Sequence, residues 1–378
     1  MLGPYQANKD RTISYKGNKL FSPIKDISNI KPLTEEFENR LLSLNKDKMW
    51  TAIAKINHTI NLSSNKYFDK IGAIFTALPL TTRMISSPGA FYGKGLINYT
   101  TDTCPIVLKW FDLSEVAFLS ESSQIYLELA LVQQEINQVY SIYNSFRKEV
   151  ADSTHLSEFH HIEYEGKISQ EENEKIALGL IQEIIFDLLN KNLTDLQQFL
   201  SNEKIEELKI FSQNIQSVKK ITFKEALNIL YKDTNDSRYL NFSMQDFGAW
   251  EEIRLTEILN GMVCVREFPL LEVPFYHDKV IGKEPLVANN ADFIWPGYRE
   301  VIGSGHRIES ETYLNEKAKI FNLPIEDYMP YLHSRKIDKY SPTSGFGLGW
   351  ERILHGLLEM PFIWSASQFP RIDSTLKL

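Results

Sequence analysis

The 378-residue sequence contains only two cysteines, Cys104 and Cys264. They lie far apart and outside any CxxC pair, so the sequence offers neither a disulfide framework nor a cysteine-based metal site. No apolar run is long enough to cross a membrane, and the N-terminus lacks the apolar core of a signal peptide. We therefore predict a protein of the cytoplasm with no membrane partner.

The sequence also lacks an excess of positive charge. Its 41 Lys and Arg residues are outnumbered by 49 Asp and Glu residues, which gives a formal net charge of −8 at pH 7. A broad nucleic-acid-binding surface usually requires the opposite sign, so the composition does not favour such a partner. The sequence does have ample apolar content, 43%, which is enough for one large domain or two smaller ones.

A stretch near the C-terminus alternates glycine with large apolar residues. Gly345, Gly347 and Gly349 are spaced by two, which predicts a strand with one face free of side chains. Apolar residues then recur at helical spacing from Trp350, so Arg352 should lie in the first helical turn. A guanidinium at a helix N-terminus favours a polyanion such as a nucleotide phosphate. A tightly packed strand–helix corner is the alternative.

The middle of the chain predicts a two-stranded hairpin followed by a helix. Residues 139–149 and 155–165 are the two strands, and Arg147 and Glu149 should share one face because they are two apart. Apolar spacing predicts the helix over residues 170–190.

Three shorter segments complete the prediction. Residues 71–80 indicate a buried strand, residues 292–302 another strand, and residues 303–307 a turn. Together these elements predict an α+β fold, in which an antiparallel sheet is flanked by helices.

The order of these elements resembles the catalytic core of the class II aminoacyl-tRNA synthetases. The most similar members are the asparaginyl and aspartyl enzymes and their stand-alone, asparagine-synthetase-like paralogues, and the match runs from about residue 46 to the C-terminus. The stretches that carry the resemblance are Phe146-Arg-x-Glu149, His155-Leu-x-Glu-Phe159, Gly297-Tyr-Arg-Glu300, Gly345-Phe-Gly-Leu-Gly-Trp-Glu-Arg352 and Phe369-Pro-Arg371.

The resemblance implies an ATP site and assigns residues to it. Arg147 and Arg352 would bind the α- and γ-phosphates, which makes them the catalytic candidates. Glu149 would read the adenine amino group, Phe159 would stack on the base, and His155 would lie near the outer phosphates.

It also implies a Mg²⁺ site and an amino-acid site. Glu300 would hold Mg²⁺ between phosphates, as a hard carboxylate ligand should. Gln124 and Glu163 would bind the α-amino group, and Arg307 would read the far end of the substrate side chain. Structural ion pairs, such as Glu300 with Arg307, are the alternative for these charged residues.

Several positions depart from the family pattern. Thr154 stands where relatives carry an Arg before the motif's His, which removes one phosphate contact. In the loop Ser87-Pro-Gly-Ala, Pro88 stands where the family carries an acidic residue that helps to bind the α-amino group. Leu127 replaces the lysine with which aspartyl enzymes read aspartate, and Glu128 is more typical of asparaginyl enzymes.

We therefore predict an ATP-dependent ligase that activates aspartate, asparagine or a close analogue as an acyl-adenylate. Residues 46–378 would form the catalytic domain, and residues 1–45 an arm too short for the anticodon-binding barrel of tRNA-charging relatives. The predicted acceptor is consequently ammonia or another small amine.

Two other functions stay open. One is a minimal asparagine– or aspartate–tRNA ligase, for which tRNA is an allowed but not favoured partner, and the other is an inactive paralogue with a binding or regulatory role. In each case we expect a homodimer with two-fold symmetry.

Overall fold

The computed structural model describes residues 3–21, 38–87, 105–148, 153–338 and 340–373. The strands are β1 (Tyr5–Ala7), β2 (Ile13–Tyr15), β3 (Asn18–Phe21), β4 (Ile74–Phe75), β5 (Thr81–Thr82), β6 (Val107–Lys109), β7 (Val116–Leu119), β8 (Gln138–Phe146), β9 (Glu158–Gly166), β10 (Lys219–Thr222), β11 (Val263–Arg266), β12 (Asn290–Ile294), β13 (Glu300–His306) and β14 (Ser344–Gly349).

Helices lie between groups of these strands. They are α1 (Arg40–Lys46), α2 (Lys48–Lys70), α3 (Gln124–Ala130), α4 (Gln170–Lys191), α5 (Leu193–Leu196), α6 (Asn202–Gln213), α7 (Phe223–Thr234), α8 (Ala249–Leu259), α9 (Glu311–Ile320), α10 (Ile325–His333) and α11 (Trp350–Leu357). None of the helices in the described part of the chain has both the length and the apolarity that a bilayer crossing requires.

One sheet of eight strands forms the framework of the molecule. Its order is β10-β11-β12-β13-β14-β9-β8-β4. The six central strands, from β11 to β8, pair antiparallel, whereas β10 and β4 add a parallel strand at each edge. The predicted α+β fold with an antiparallel sheet flanked by helices is therefore confirmed.

Helix α4 covers one face of this sheet, as its sequence predicts. Its start is fixed by a capping box, in which the Ser169 hydroxyl accepts from the Glu172 N–H and the Glu172 carboxylate accepts from the Ser169 N–H. Its apolar side shares a single core with Phe346 and Leu348 of β14 and with α2. Because alternate residues of a strand face opposite ways, the glycines of β14 face away from this core.

Two of the predicted strands differ from the observed ones. The buried strand expected over residues 71–80 is wrong: only β4 forms, and Ile74 and Phe75 are 50% and 54% exposed because the strand lies at the sheet edge. The segment 292–302 is not one strand either. The chain turns at residues 295–299, where Gly297 has φ +66°, and residues predicted as a turn extend β13 to His306.

The first three strands form a small antiparallel ribbon that packs on the core. The Trp250 indole N–H donates to the Asn8 carbonyl at 2.7 Å, and the Tyr15 hydroxyl donates to the Glu359 carbonyl at 2.6 Å. Arg11 forms ion pairs with Asp236 at 2.8 Å and Glu251 at 2.7 Å. The proposed division of the chain after residue 45 stays a prediction.

Candidate active site

Glycines of β13 and β14 make room for other side chains on the face of the sheet opposite α4. A Cβ added at Gly347 would lie 3.2 Å from the Glu163 carboxylate, and one at Gly305 would lie 2.6 Å from the His277 ring. Contacts as close as the second do not occur between real atoms, so an alanine at Gly305 would displace the imidazole. The bare face is thus the floor of a site built from acidic and imidazole groups.

The predicted strand-to-helix connection is confirmed at the edge of this floor. Strand β14 ends at Gly349, the N-cap of α11, and Arg352 lies in the first turn of that helix. Its Nη1 donates to the Glu300 carbonyl oxygen at 3.0 Å and lies 4.0 Å from the Glu300 carboxylate. The guanidinium is therefore held at the helix N-terminus and beside an acidic group.

A cavity of about 250 Å³ opens between this helix and the β8–β9 hairpin. The structure brings five of the predicted nucleotide-site residues together in its wall: Arg147, His155, Phe159, Glu300 and Arg352. The Arg147 guanidinium lies 5.3 Å from the centre of the Phe159 ring, a cation–π distance. The sixth, Glu149, lies outside the described residues. We call this space the nucleotide chamber.

Two half-buried carboxyl groups, those of Asp292 and Glu300, meet at the border of this chamber. Glu300 Oε1 lies 2.9 Å, and Asp292 Oδ1 3.8 Å, from the point where a Cβ at Gly303 would stand. Burial raises the pKa of both groups; Glu252 raises both further, and Glu300 also raises that of Asp292. Arg352 acts in the opposite sense on Glu300. Within the described ranges, no cluster of three or more His, Cys, Asp and Glu residues could hold a metal ion alone.

A second cavity of about 210 Å³ adjoins the first and shares Arg147 and Glu300 with it. Its wall includes Gln124, Glu163 and His277, so two of the predicted amino-acid-binding residues line the same space. We call it the amino-acid chamber.

Glu163 is the most tightly held carboxylate of this chamber. The Ser122 hydroxyl donates to its Oε1 at 2.8 Å, and the Tyr143 hydroxyl donates to its Oε2. Burial raises the pKa of Glu163 to about 7, although both hydroxyl groups and nearby Arg307 favour the ionised form. A bound ammonium group would stabilise the ionised form further.

Arg307 lies fully buried next to this chamber. Its Nε and Nη2 donate to the two carboxylate oxygens of Glu165 at 2.9 and 2.7 Å, and Nη2 also donates to the Gln124 carbonyl oxygen. The predicted alternative, an ion pair with Glu300, is therefore not formed. Arg307 Nη1 and Gln124 Nε2 are buried and find no hydrogen-bond partner among the described residues.

Residues 33–373 match the family model described as tRNA synthetases class II (D, K and N). The chain belongs to this family. It is 31% identical over 272 residues to the asparagine–tRNA ligase of Thermococcus kodakarensis, an alignment that covers 71% of this chain and 60% of the relative. The asparagine–tRNA ligase of Pyrococcus furiosus is 29% identical over 332 residues, or 86% of this chain and 69% of the relative.

Solved structures show the same class II synthetase fold. The asparaginyl-tRNA synthetase from Pyrococcus horikoshii, complexed with asparaginyl-adenylate, matches with a TM-score of 0.80 and 25% identity, over 100% of this chain and 83% of the other. The asparaginyl-tRNA synthetase from Entamoeba histolytica, also in complex with asparaginyl-adenylate, matches with a TM-score of 0.74 and 20% identity. This match covers 96% of this chain and 76% of the other. The chain spans about 60% of the length of the first two curated relatives.

Sequence reasoning missed several residues of this class II site. Asp292 resembles an ordinary strand residue until the β12–β13 register places it opposite Gly303. His277 lies outside the regular helices and strands, so no periodic pattern marks it. Glu165 follows Glu163 by two residues on β9 and therefore faces the same side of the sheet. For the altered loop at Pro88 the structure gives no outcome, because that residue lies outside the described residues. Only the alternation of acidic residues along β9 could have suggested Glu165.

Glu121 is a further buried carboxyl group, next in sequence to Ser122 of the amino-acid chamber. The Ser87 N–H donates to its Oε1 at 2.5 Å, whereas Oε2 has no partner in the described part of the chain. Burial raises the pKa of Glu121 to about 7 from an ordinary value of 4.5, although backbone hydrogen bonds and Arg147 lower it. Between about pH 4.5 and pH 7, the folded protein therefore keeps a proton that the unfolded chain releases.

We expect Glu121→Gln to remove a pH-dependent loss of stability. Because the folded state binds this proton more tightly, the unfolding free energy of the unmodified protein should fall as pH rises from about 4.5 to about 7. The variant should gain up to about 3 kcal/mol relative to it between pH 5 and pH 8. Urea unfolding followed by circular dichroism measures this, with the exposed Glu206→Gln as control. Parallel stability curves for Glu121→Gln and the unmodified protein would contradict the assignment.

Proposed function

We propose that the chain is an ATP-dependent ligase that activates asparagine, in preference to aspartate, as an acyl-adenylate. The supporting observation is that the nucleotide and amino-acid chambers adjoin and share Arg147 and Glu300. In this reaction the amino-acid carboxylate attacks the α-phosphorus of ATP and pyrophosphate leaves. The protein mainly has to orient both reactants and stabilise the phosphate charges.

The nucleotide chamber has the groups that such a reaction needs. The Phe159 ring offers a stacking surface for adenine, and the Arg147 guanidinium lies between the two chambers, where the α-phosphate would be attacked. Arg352 at the helix N-terminus would bind an outer phosphate. His155 lines the same wall and would lie near the outer phosphates.

Glu300, together with Asp292, fits a Mg²⁺ ion. Both carboxylates project over Gly303, where no side chain fills the space, and both are destabilised in their ionised form by burial and by neighbouring carboxylates. A divalent cation would relieve this repulsion. Mg²⁺ is commonly held by one or two carboxylates together with substrate phosphates, and it would neutralise phosphate charge when bound.

The amino-acid chamber favours a substrate with a neutral amide. Glu163 would accept from the α-ammonium group. Arg307 already has its charge balanced by Glu165, so a second carboxylate would gain little from it, whereas an amide oxygen could accept from Arg307 Nη1 and Gln124 Nε2. The asparaginyl-adenylate bound by the Pyrococcus horikoshii enzyme supports the same choice.

Amino-acid-dependent ATP–pyrophosphate exchange tests this proposal. We expect exchange with asparagine, and about tenfold less or lower with aspartate, because Glu165 already balances the charge of Arg307 beside this chamber. Arg352→Ala should reduce the exchange rate about 100-fold or more, since it removes a charge from the phosphate site. Arg238→Ala, which removes a surface ion pair with Asp236, is the matched control. Exchange unaffected by Arg352→Ala, or faster with aspartate, would refute the proposal.

We also propose that the acyl acceptor is a tRNA. The supporting observation is that the curated relatives are asparagine–tRNA ligases. Ammonia or a small amine, the acceptor predicted from the sequence, is the competing candidate. We expect radiolabelled asparagine to become acid-precipitable when tRNA is supplied together with ATP. Release of AMP that depends on ammonium ions and not on tRNA would favour the small acceptor, and no release with either would favour an inactive paralogue.

A homodimer is proposed from the exposed apolar surface at the sheet edge. The adjacent residues Ile74 and Phe75 on edge strand β4 are 50% and 54% exposed, and a contiguous exposed apolar surface commonly marks an interface. We expect sedimentation velocity to show a dimer for the unmodified protein and a monomer for Phe75→Glu. Phe186→Glu, at a phenylalanine that is 57% exposed on helix α4, should leave the dimer intact. A monomeric unmodified protein would contradict this.

A further inference from the structure

We propose that Arg299 is a third phosphate-binding arginine of the nucleotide site, in addition to Arg147 and Arg352. This inference rests on the proposed ATP site. The residue follows the turn between β12 and β13, and its side chain lines the nucleotide chamber together with Thr154 and His155. In the sequence it is only the third residue of Gly297-Tyr-Arg-Glu300, with no role of its own.

A β-bulge explains how Arg299 reaches the chamber. Ile294 pairs with Glu300 while the preceding Phe293 pairs with Ile302, so β13 contains one extra residue at Val301. In a regular strand, residues 299 and 300 would face opposite sides of the sheet. A bulge increases the local twist and re-aims neighbouring side chains. Residues 299, 300 and 301 consequently all line the same chamber.

The guanidinium is held by groups in the chamber wall. Its Nη1 donates to the Thr154 hydroxyl at 3.1 Å and lies 3.2 Å from His155 Nε2. Its Nε donates to Glu252 Oε2 at 3.1 Å, and the same oxygen accepts the Glu300 N–H at 3.1 Å. Glu252 thereby fixes both the direction of the guanidinium and the backbone that follows it. Arg299 is thus placed beside the hydroxyl and the imidazole, with its side chain 18% exposed.

The turn before Arg299 is itself fixed, so the position is preorganised. The Gly297 N–H donates to the Thr256 hydroxyl at 2.9 Å, and the Tyr298 hydroxyl donates to the Met360 carbonyl at 2.9 Å. From the N-terminal ribbon, the Gly3 N–H donates to the Pro296 carbonyl at 3.0 Å. A charged group that is held in place before binding loses less conformational entropy when the ligand arrives.

The charge distribution of the chamber favours a further positive group beside Arg147 and Arg352. Its wall contains the carboxyl groups of Glu252, Asp292, Glu300 and Glu351, all of which would repel a triphosphate. Arg299 compensates Glu252 directly and lowers the pKa of Glu300. A purely structural ion pair with Glu252 would explain the position of Nε. It would not explain why Nη1 is directed at Thr154 and His155. The geometry therefore favours an anion at this end of the chamber.

Calorimetric titration with Mg·ATP and with AMP tests this role, because AMP lacks the outer phosphates. Arg299→Gln removes the charge and keeps a polar, unbranched side chain, although a shorter one. We expect its Kd for Mg·ATP to rise about tenfold or more and its Kd for AMP to stay within about twofold. Arg299→Lys should retain part of the affinity. Thr154→Arg added to Arg299→Gln should also restore affinity, since the two positions are in hydrogen-bond contact.

Arg254→Ala is the matched control, because Arg254 is also paired with carboxylates, Asp233 and Glu257, but lines neither chamber. An unchanged Kd for Mg·ATP in Arg299→Gln would overturn the role of Arg299 but would not contradict the proposed function. Equal losses of affinity for Mg·ATP and for AMP, together with a lower Tm, would show that Arg299 has a structural role and would also overturn the inference. If the unmodified protein bound no Mg·ATP, the proposed function and this inference would both fail.

Discussion

The close approach of polar side chains to the glycines of β13 and β14 is the constraint on which this site depends. A Cβ on Gly303, Gly305 or Gly347 would occupy the space now used by Glu300, His277 and Glu163. Because the opposite face of the same strands packs apolar residues against α4, the sheet separates a core from a site across a single layer of backbone. The absence of side chains on one face is therefore as necessary for the site as the residues that line it.

This arrangement concentrates carboxyl groups that are buried or half-buried, and burial of an ionised group is costly unless a partner compensates it. Burial raises the pKa of Glu165 although its partner Arg307 lowers it. The pKa values of Asp292, Glu300, Glu163 and Glu121 are raised as well. Binding of cationic partners, an ammonium group in one chamber and Mg²⁺ in the other, would stabilise the ionised forms. The unliganded site is thus electrostatically strained in a way that its proposed substrates would relieve.

The fold could be predicted from sequence where the signal is local. The capping box and apolar stripe of α4, the hairpin around Arg147 and the step from Gly349 into α11 all depend on residues close in sequence. The roles of Asp292 and Arg299 could not be predicted, because they depend on a hairpin register and a bulge that periodicity does not reveal. The prediction of a buried strand around Ile74 is wrong for a related reason. Apolar composition does not distinguish a strand at the edge of a sheet from one in its interior.

The N-terminal ribbon sets the order in which the molecule can be completed during its synthesis. The Tyr5 hydroxyl donates to the Pro361 carbonyl, and its ring packs edge-on against Tyr298 at 4.7 Å and His355 at 5.9 Å. His355 is one turn after Arg352 on the same helix, yet it lies 350 residues from Tyr5 along the chain. Such distant contacts form late, because a long loop must close first. During synthesis, β1 must therefore wait for α11 before these contacts can form.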